Sequence, residues 1–135
     1  MNIFLSGPMA GLPDFNHPAF DRYAAALRTM GHAVWSPAEL FGGETGLPRA
    51  RYVRACILAL AGYDEYGAAS FDAIALMPGW EASPGSKLEW AIAHELGMRI
   101  FRLHVSHGAV LLEASSVDEC GRLDYTLEKV IERKQ

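Results

Sequence analysis

The sequence predicts an α/β fold: a single-domain, doubly wound parallel sheet of the Rossmann or flavodoxin-like type, with about five strands in the order 2-1-3-4-5. Three observations predict it. Short apolar runs alternate with segments whose apolar residues recur at helical spacing, which is the pattern of strand–helix–strand units with right-handed crossovers. A helical pattern gives way to a strand pattern through a glycine twice, at Gly31 and at Gly97. The most continuous apolar run, Phe71 to Met77, suits a central strand covered on both faces.

Taken in order, Ile3-Phe4-Leu5 reads as the first strand, ended by Ser6-Gly7-Pro8. Asn16 is placed to cap a helix with Pro18 in its first turn, and Phe20, Ala24, Leu27 and Met30 form that helix's apolar face. Gly31 is its C′ residue. His32 to Trp35 is the second strand, stopped at Ser36-Pro37, and Ala38 to Pro48 reads as a loop over the sheet edge. Ala50 to Leu60 is helical, with Val53, Ile57 and Leu60 on one face, and Gly62 to Ser70 is open between a loop and a second short helix. Phe71 to Met77 is strand three, Ser86 to Leu96 a helix closed by Gly97, and Arg99 to Leu103 strand four. Ala109 to Leu112 reads as strand five and Leu123 to Ile131 as a C-terminal helix.

The 135 residues suit one domain, 1–135, with one core. Twelve basic against 16 acidic residues give a net charge of −4, which argues against binding polymeric nucleic acid but not against a nucleotide-sized ligand. No apolar run approaches the roughly 20 residues that span a bilayer, and Met1 to Ser6 lacks the layout of a signal peptide, so no membrane partner is expected. The two cysteines, Cys56 and Cys120, have neither metal-site nor disulfide-framework spacing, so a reducing, cytoplasmic setting is expected. His104 and His107 lie three apart, which is weak evidence for a metal; no metal and no cofactor are expected.

The most informative stretch runs from Asp72 to Glu89. An apolar run breaks at Pro78-Gly79, passes through Ser83-Pro84-Gly85-Ser86-Lys87, and enters a helix carrying Glu89. Ligands of open α/β sheets bind at the carboxyl ends of strands, in loops of this kind. Small residues let the backbone approach a ligand and leave helix-start N–H groups free to donate. Glu89 is then either a carboxylate in the first turn, favoured by the helix dipole by about 0.3–1 kcal/mol, or the reactive group of a site. Ser83, Gly85 and Ser86 supply donors, and Trp80 and Trp90 supply flat apolar surface. Ser6 to Gly11 is open between half of a ligand cradle and a plain tight turn. Phe15 is either a staple for the next helix or a lid over a base. Asp72 reads as a structural cap at the far end of the sheet. Asp64 is open between a surface charge and a group pointing toward the first loop.

Two segments together, Ser6-Gly7-Pro8-Met9-Ala10-Gly11-Leu12-Pro13-Asp14-Phe15-Asn16 and Leu76-Met77-Pro78-Gly79-Trp80-Glu81-Ala82-Ser83-Pro84-Gly85, resemble a small, largely uncharacterised phage and bacterial (DUF4406-like) branch of the nucleoside 2-deoxyribosyltransferase superfamily. The resemblance spans residues 2 to about 103. It implies an oligomeric α/β enzyme that breaks or exchanges the N-glycosidic bond of (deoxy)nucleosides or their monophosphates. The family's nucleophilic glutamate follows a Ser-x-Gly-x-x-x-Glu loop, matched here by Ser83, Gly85 and Glu89. Ser6, Gly7, Pro8, Met9 and Gly11 match the loop that lines the same pocket, with Phe15, Trp80, Ser86 and Lys87 as further substrate contacts. An assisting acid upstream of strand three is matched by Asp64, eight residues before Asp72. An alternative alignment on Arg51-Tyr52-Val53-Arg54 puts Cys56 at the assisting carboxylate's place. Nucleotide-specific relatives carry an arginine where this chain has Ala10, and Lys87 is the candidate substitute.

The expected chemistry follows retaining glycosidases. Glu89 attacks C1′, Asp64 assists as acid, and water or a second base resolves the glycosyl-enzyme. The rival expectation is a non-catalytic sensor or sponge that binds a nucleotide-derived ligand in the same pocket. A phosphoribohydrolase of the cytokinin-activating type is disfavoured because its Pro-Gly-Gly-x-Gly-Thr core is absent. The two small-residue loops are expected to meet at one pocket. A homodimer or larger homo-oligomer is expected from the resemblance, from Trp80 and Trp90, read as exposed apolar surface, and from the apolar helix faces of so small a domain.

Overall fold

The computed structural model describes residues 1–115. The elements run β1 (Asn2–Ser6), α1 (His17–Thr29), β2 (Ala33–Trp35), α2 (Arg49–Ala61), β3 (Ala73–Leu76), α3 (Pro84–Glu95), β4 (Arg99–Ser106) and β5 (Ala109–Ala114). The expected C-terminal helix at Leu123 to Ile131, and Cys120, lie outside the described residues.

The five strands form one sheet in the order β2-β1-β3-β4-β5. β1 pairs in parallel with β2 and β3, and β3 pairs in parallel with β4. β5 departs from the expected parallel sheet: it pairs with β4 antiparallel, so the sheet is mixed. The reason is the connection. Parallel neighbours need a crossover of a dozen residues or so, whereas only His107 and Gly108 separate β4 from β5. Both have positive φ, 50° and 77°, the backbone of a two-residue hairpin turn whose twist matches the strands.

Alternation along the strands sorts the core into two halves. Ile3 and Leu5 of β1, Ala73 and Ala75 of β3, and Phe101 and Leu103 of β4 pack with Phe20, Tyr23, Ala24 and Leu27 of α1. Phe4, Ile74 and Leu76 face the other way, onto Cys56 and Leu60 of α2 and Trp90, Ala91 and Ala93 of α3. Helices therefore cover both faces of the sheet. Every residue of β3 is buried, as the unbroken apolar run predicts for a central strand.

Both helix–glycine–strand junctions are C-terminal caps of one kind. Gly31 (φ 96°) donates its N–H to Arg28 O, and His32 donates to Leu27 O. Gly97 (φ 71°) donates to His94 O, and Met98 to Ala93 O. This 6→1 and 5→2 pairing needs a left-handed residue, which glycine adopts without strain. Asn16 stands at the N-cap of α1, but its side chain does not cap the helix; Nδ2 donates to Pro8 O at 2.9 Å.

Asp72 is structural, as read. Its Oδ2 accepts from the Asn2 N–H at 2.7 Å and its own N–H donates to Asn2 O, tying the starts of β1 and β3 together. The segment Gly62 to Ser70 is a loop rather than a short helix, closed by a bridge between Tyr63 and Ala69. Among the described residues, no helix is long and apolar enough to cross a membrane.

Candidate active site

β1 and β3 are neighbours in the sheet, so the loops leaving their carboxyl ends are brought side by side. They meet at a pocket of about 520 Å³, within the range of small-molecule sites. Gly7, Met9 and Ala10 line it from the first loop, and Ser83, Gly85, Ser86 and Glu89 from the second. The expected meeting of the two loops is observed. Gly7 is required by that closeness: a Cβ there would lie 2.8 Å from Cβ and Sδ of buried Met77 at the end of β3.

α3 begins earlier than the periodicity implied, at Pro84, with Ser83 as N-cap accepting from the Ser86 N–H at 3.3 Å. Glu89 is thus the sixth residue of α3, beyond its first turn, which contains no acidic residue. The helix dipole acts within the first turn, so the stabilising-charge explanation for Glu89 loses its footing. Instead the carboxylate is held by a side chain. Ser6, fully buried at the end of β1, donates its hydroxyl to Glu89 Oε1 at 2.6 Å. Cys56 of α2 lines the same pocket wall as Glu89. Burial above all, then the negative charge of Glu89, push the Cys56 thiol far above the ordinary cysteine range. The thiol is accordingly neutral at physiological pH. Ser86, a residue of the pocket wall, has its Oγ buried with no hydrogen-bond partner.

The remaining sequence candidates separate. Phe15 lines the pocket while still about 42 % exposed. Asp14, Phe15 and Asn16 all have left-handed backbones, with φ of 51°, 51° and 60°. Asn and Asp tolerate this conformation, but for a bulky residue it costs about 1–3 kcal/mol and persists only where the surroundings enforce it. Pro8 and Gly11 belong to the first loop but are not on the wall. Lys87 is half-buried and also off the wall. Trp80 does not offer a flat surface to the pocket: it is 4 % exposed and packs, like Trp90, in the core between the sheet and α2 and α3. The two tryptophans therefore give no support to an oligomer.

Asp64 is not brought to Glu89. It follows the far end of α2, whose 13 residues rise about 20 Å from the pocket residue Arg49. Its Oδ1 accepts from the N–H groups of Tyr66 and Ala68 at 2.9 and 3.0 Å, which shapes the loop after α2. We expect Asp64→Ala to lower stability by about 1 kcal/mol, the worth of such hydrogen bonds, and to leave ligand binding to the pocket within twofold. A large loss of binding with an unchanged melting temperature would contradict this placement.

Arg49, Tyr52, His17 and the Glu44–Leu47 segment escaped the sequence reading as wall residues, and Cys56 entered it only through the alternative alignment. Arg49, Tyr52, Val53, Cys56 and Ile57 form one stripe of α2, and all face the pocket. The helical period that placed Val53 and Ile57 on an inner face extends upward through Arg49 and Tyr52, so the signal was present. Tyr52 donates its hydroxyl to Glu44 O at 2.5 Å and accepts from the Leu47 N–H at 3.3 Å. It thereby pins the segment from Glu44 to Leu47 as another wall. That contact links a helix to a loop with no period of its own, and no spacing rule predicts it. His17, the first residue of α1, completes the ionisable groups on the wall. Among the described residues, no group of three or more His, Cys, Asp or Glu could hold a metal ion.

A search of curated proteins finds no match to the chain. A family model described as a domain of unknown function, DUF4406, matches residues 1–102. That span includes both loops, the pocket stripe of α2 and Glu89, and the chain belongs to the DUF4406 family.

Proposed function

We propose that the chain cleaves or exchanges the N-glycosidic bond of a (deoxy)nucleoside or nucleoside monophosphate, with Glu89 as nucleophile. The observation that carries this reading is the Glu89 carboxylate, held by the Ser6 hydroxyl on the wall of a nucleoside-sized pocket. It is joined there by the Ser83 and Gly85 of its own loop. The architecture is compatible with the doubly wound, Rossmann-like fold of the nucleoside 2-deoxyribosyltransferase superfamily, and the two motif segments resemble those of that superfamily.

In the reaction, Glu89 attacks C1′ of the sugar. The glycosidic bond breaks toward the base through an oxocarbenium-like state, and the base takes up a proton as it leaves. Water, or a second base, then attacks C1′ of the glycosyl-enzyme and releases the carboxylate. The neutral Ser6 hydroxyl orients Glu89 without adding a competing charge. Arg49 and His17 stand on the wall where an anionic 5′ group can be paired, a task Lys87 is less well placed to do. Phe15 offers a ring against which a base can stack.

A second reading, a non-catalytic sensor or sponge for a nucleotide-derived ligand, is favoured by one feature. Among the described residues, the one wall carboxylate besides Glu89 is Glu44, whose Oε1 is engaged by the Gly46 N–H at 3.1 Å, and Asp64 does not line the pocket. We further propose that the chain works in the cytoplasm as a homodimer or larger homo-oligomer. Leu58, Tyr63 and Tyr66, strongly exposed on and just after α2, supply apolar surface for such contacts.

Product analysis on a panel of nucleosides and 5′-monophosphates tests the proposal. The expected result is release of free base, with exchange when a second base is added. Tight binding of a panel member without release transfers the assignment to the sensor reading. Neither binding nor release across the panel overturns both.

A further inference from the structure

Residues 44–47 stand on the pocket wall without belonging to a helix, a strand or either core cluster, and Glu44, Thr45 and Gly46 are exposed. Their hydrogen bonds fall into two groups. The Glu44 N–H donates to Phe41 O at 3.3 Å and the Gly46 N–H to Glu44 Oε1 at 3.1 Å, which knits the segment into one body. Among the described residues, the bonds that leave it for the rest of the protein both run to one atom. That atom is the Tyr52 hydroxyl oxygen, which donates to Glu44 O and accepts from the Leu47 N–H. The two ends of the segment differ in stiffness. Phe41, Gly42 and Gly43 have left-handed backbones, with φ of 52°, 67° and 82°, and two glycines in a row turn through such angles without strain. Pro48, its φ fixed by its ring, stands at the other end as the residue before α2.

We infer that residues 44–47 are a strap on the pocket wall, hinged at Gly42–Gly43 and latched by the Tyr52 hydroxyl, which swings open as one unit while the core stays folded. A wall fixed by packing would bury apolar side chains at several points. Here Leu47 alone is half-buried, and a single side chain ties the segment down. Phe41 sets the balance between the closed and open positions. A left-handed backbone is strained for a bulky residue and persists only where its surroundings enforce it. The enforcement comes from the same helix as the latch. The Arg51 guanidinium lies 5.1 Å from the centre of the Phe41 ring, and the Tyr52 ring meets that ring edge-on at a centroid distance of 5.6 Å. Breaking the latch loosens the hold on Phe41 and frees its strain, so the strap gives way all at once rather than by degrees. Hinged elements move in this way, with a few residues absorbing the backbone change. Opening takes one side off the pocket, for whatever ligand it admits.

Native-state amide hydrogen exchange on the full-length protein tests the strap without any ligand, so its outcome is independent of the proposed reaction. Tyr52→Phe keeps the ring and removes the hydroxyl. It takes the acceptor from the Leu47 N–H alone; Phe41 O and Glu44 Oε1, which accept from the Glu44 and Gly46 N–H groups, are untouched. The expected result is that all three amides exchange at least about tenfold faster, because they open together, while the buried amides of β3 stay within about twofold. Faster exchange at Leu47 alone makes the hydroxyl a local bond and overturns the inference. Unchanged exchange at all three overturns it as well. The wild type gives a second reading that needs no variant, through exchange in rising urea below the unfolding transition. A strap that opens by itself exposes little surface, so its amides should respond weakly to urea, whereas those of β3 follow the full dependence of global unfolding. Equal urea dependence at the strap and at β3 means that residues 44–47 open only when the whole domain does, and overturns the inference whatever the chain acts on.

Discussion

Glu89→Gln is expected to lower kcat/KM for base release by at least about a thousandfold, close to 4 kcal/mol of transition-state stabilisation at 1.36 kcal/mol per decade, while melting within a few degrees of the wild type. The substitution separates charge from shape. Glutamine is nearly isosteric with glutamate, and its carbonyl oxygen can still accept from Ser6 Oγ, which sits 2.6 Å from Glu89 Oε1. Lost are the negative charge that stabilises an oxocarbenium-like state and the oxygen nucleophile that bonds to C1′. Isothermal binding measurements with a substrate nucleoside should show affinity nearly retained, which locates the loss in the chemical step. If Glu89→Gln turns over at the wild-type rate, the nucleophile assignment fails. Because Glu89 lies beyond the first turn of α3, a purely structural role predicts no loss of turnover and very little of stability.

Trp90→Ala should be the most destabilising single truncation, costing about 3–5 kcal/mol. Stabilities of whole domains are only about 5–15 kcal/mol. Trp90 is 1 % exposed and leads the fully buried side chains in size. It packs among Phe4, Leu60, Ile74 and Leu76, with its ring stacked on His94 at a centroid distance of 5.0 Å. Its Nε1 has no hydrogen-bond partner, so the loss is one of packing and apolar burial, and Trp90→Phe, which removes fewer buried atoms, should cost less than Trp90→Ala. Urea denaturation measures both through the midpoint at constant slope. A midpoint for Trp90→Ala close to the wild type would mean that α3 is not seated on the sheet as described. Since Glu89 is the adjacent residue, a loosened α3 should also weaken ligand binding.

The particular residues show what kind of information the chain carries locally. Gly31 and Gly97 were readable as helix ends because a left-handed cap is a local backbone demand. β3 was readable because a strand covered on both faces needs apolar residues at every position. Asp72 was readable because an acid at the start of a buried strand has few other uses. The direction of β5 was missed although its cue, His107-Gly108, is local; alternation of strands and helices was extended one step too far. Asp64 was misplaced because spacing to Asp72 along the chain says nothing about which end of the sheet a loop occupies. Trp80 and Trp90 were misjudged because an aromatic beside a loop looks the same in sequence whether it faces a ligand or the core.

By itself, the sequence determined the strand order, the helix limits to within a few residues, and the meeting of the Ser6–Gly11 and Ser83–Glu89 loops. Each follows from hydrophobic period, capping and the adjacency of β1 and β3, which are properties of neighbours along the chain or of a small set of topologies. Only the tertiary structure decided which side chains gather around Glu89. Ser6 is 83 residues away from it in sequence, and Cys56, on the same pocket wall, comes from a different helix. It also decided that Arg49, Tyr52 and His17 close the pocket while Asp64 stands apart. The physical reason is that a site is an intersection of elements. Each element's own pattern records which face turns inward, but the height at which two faces meet depends on how the helices seat on the sheet, and that is set by packing across the whole core.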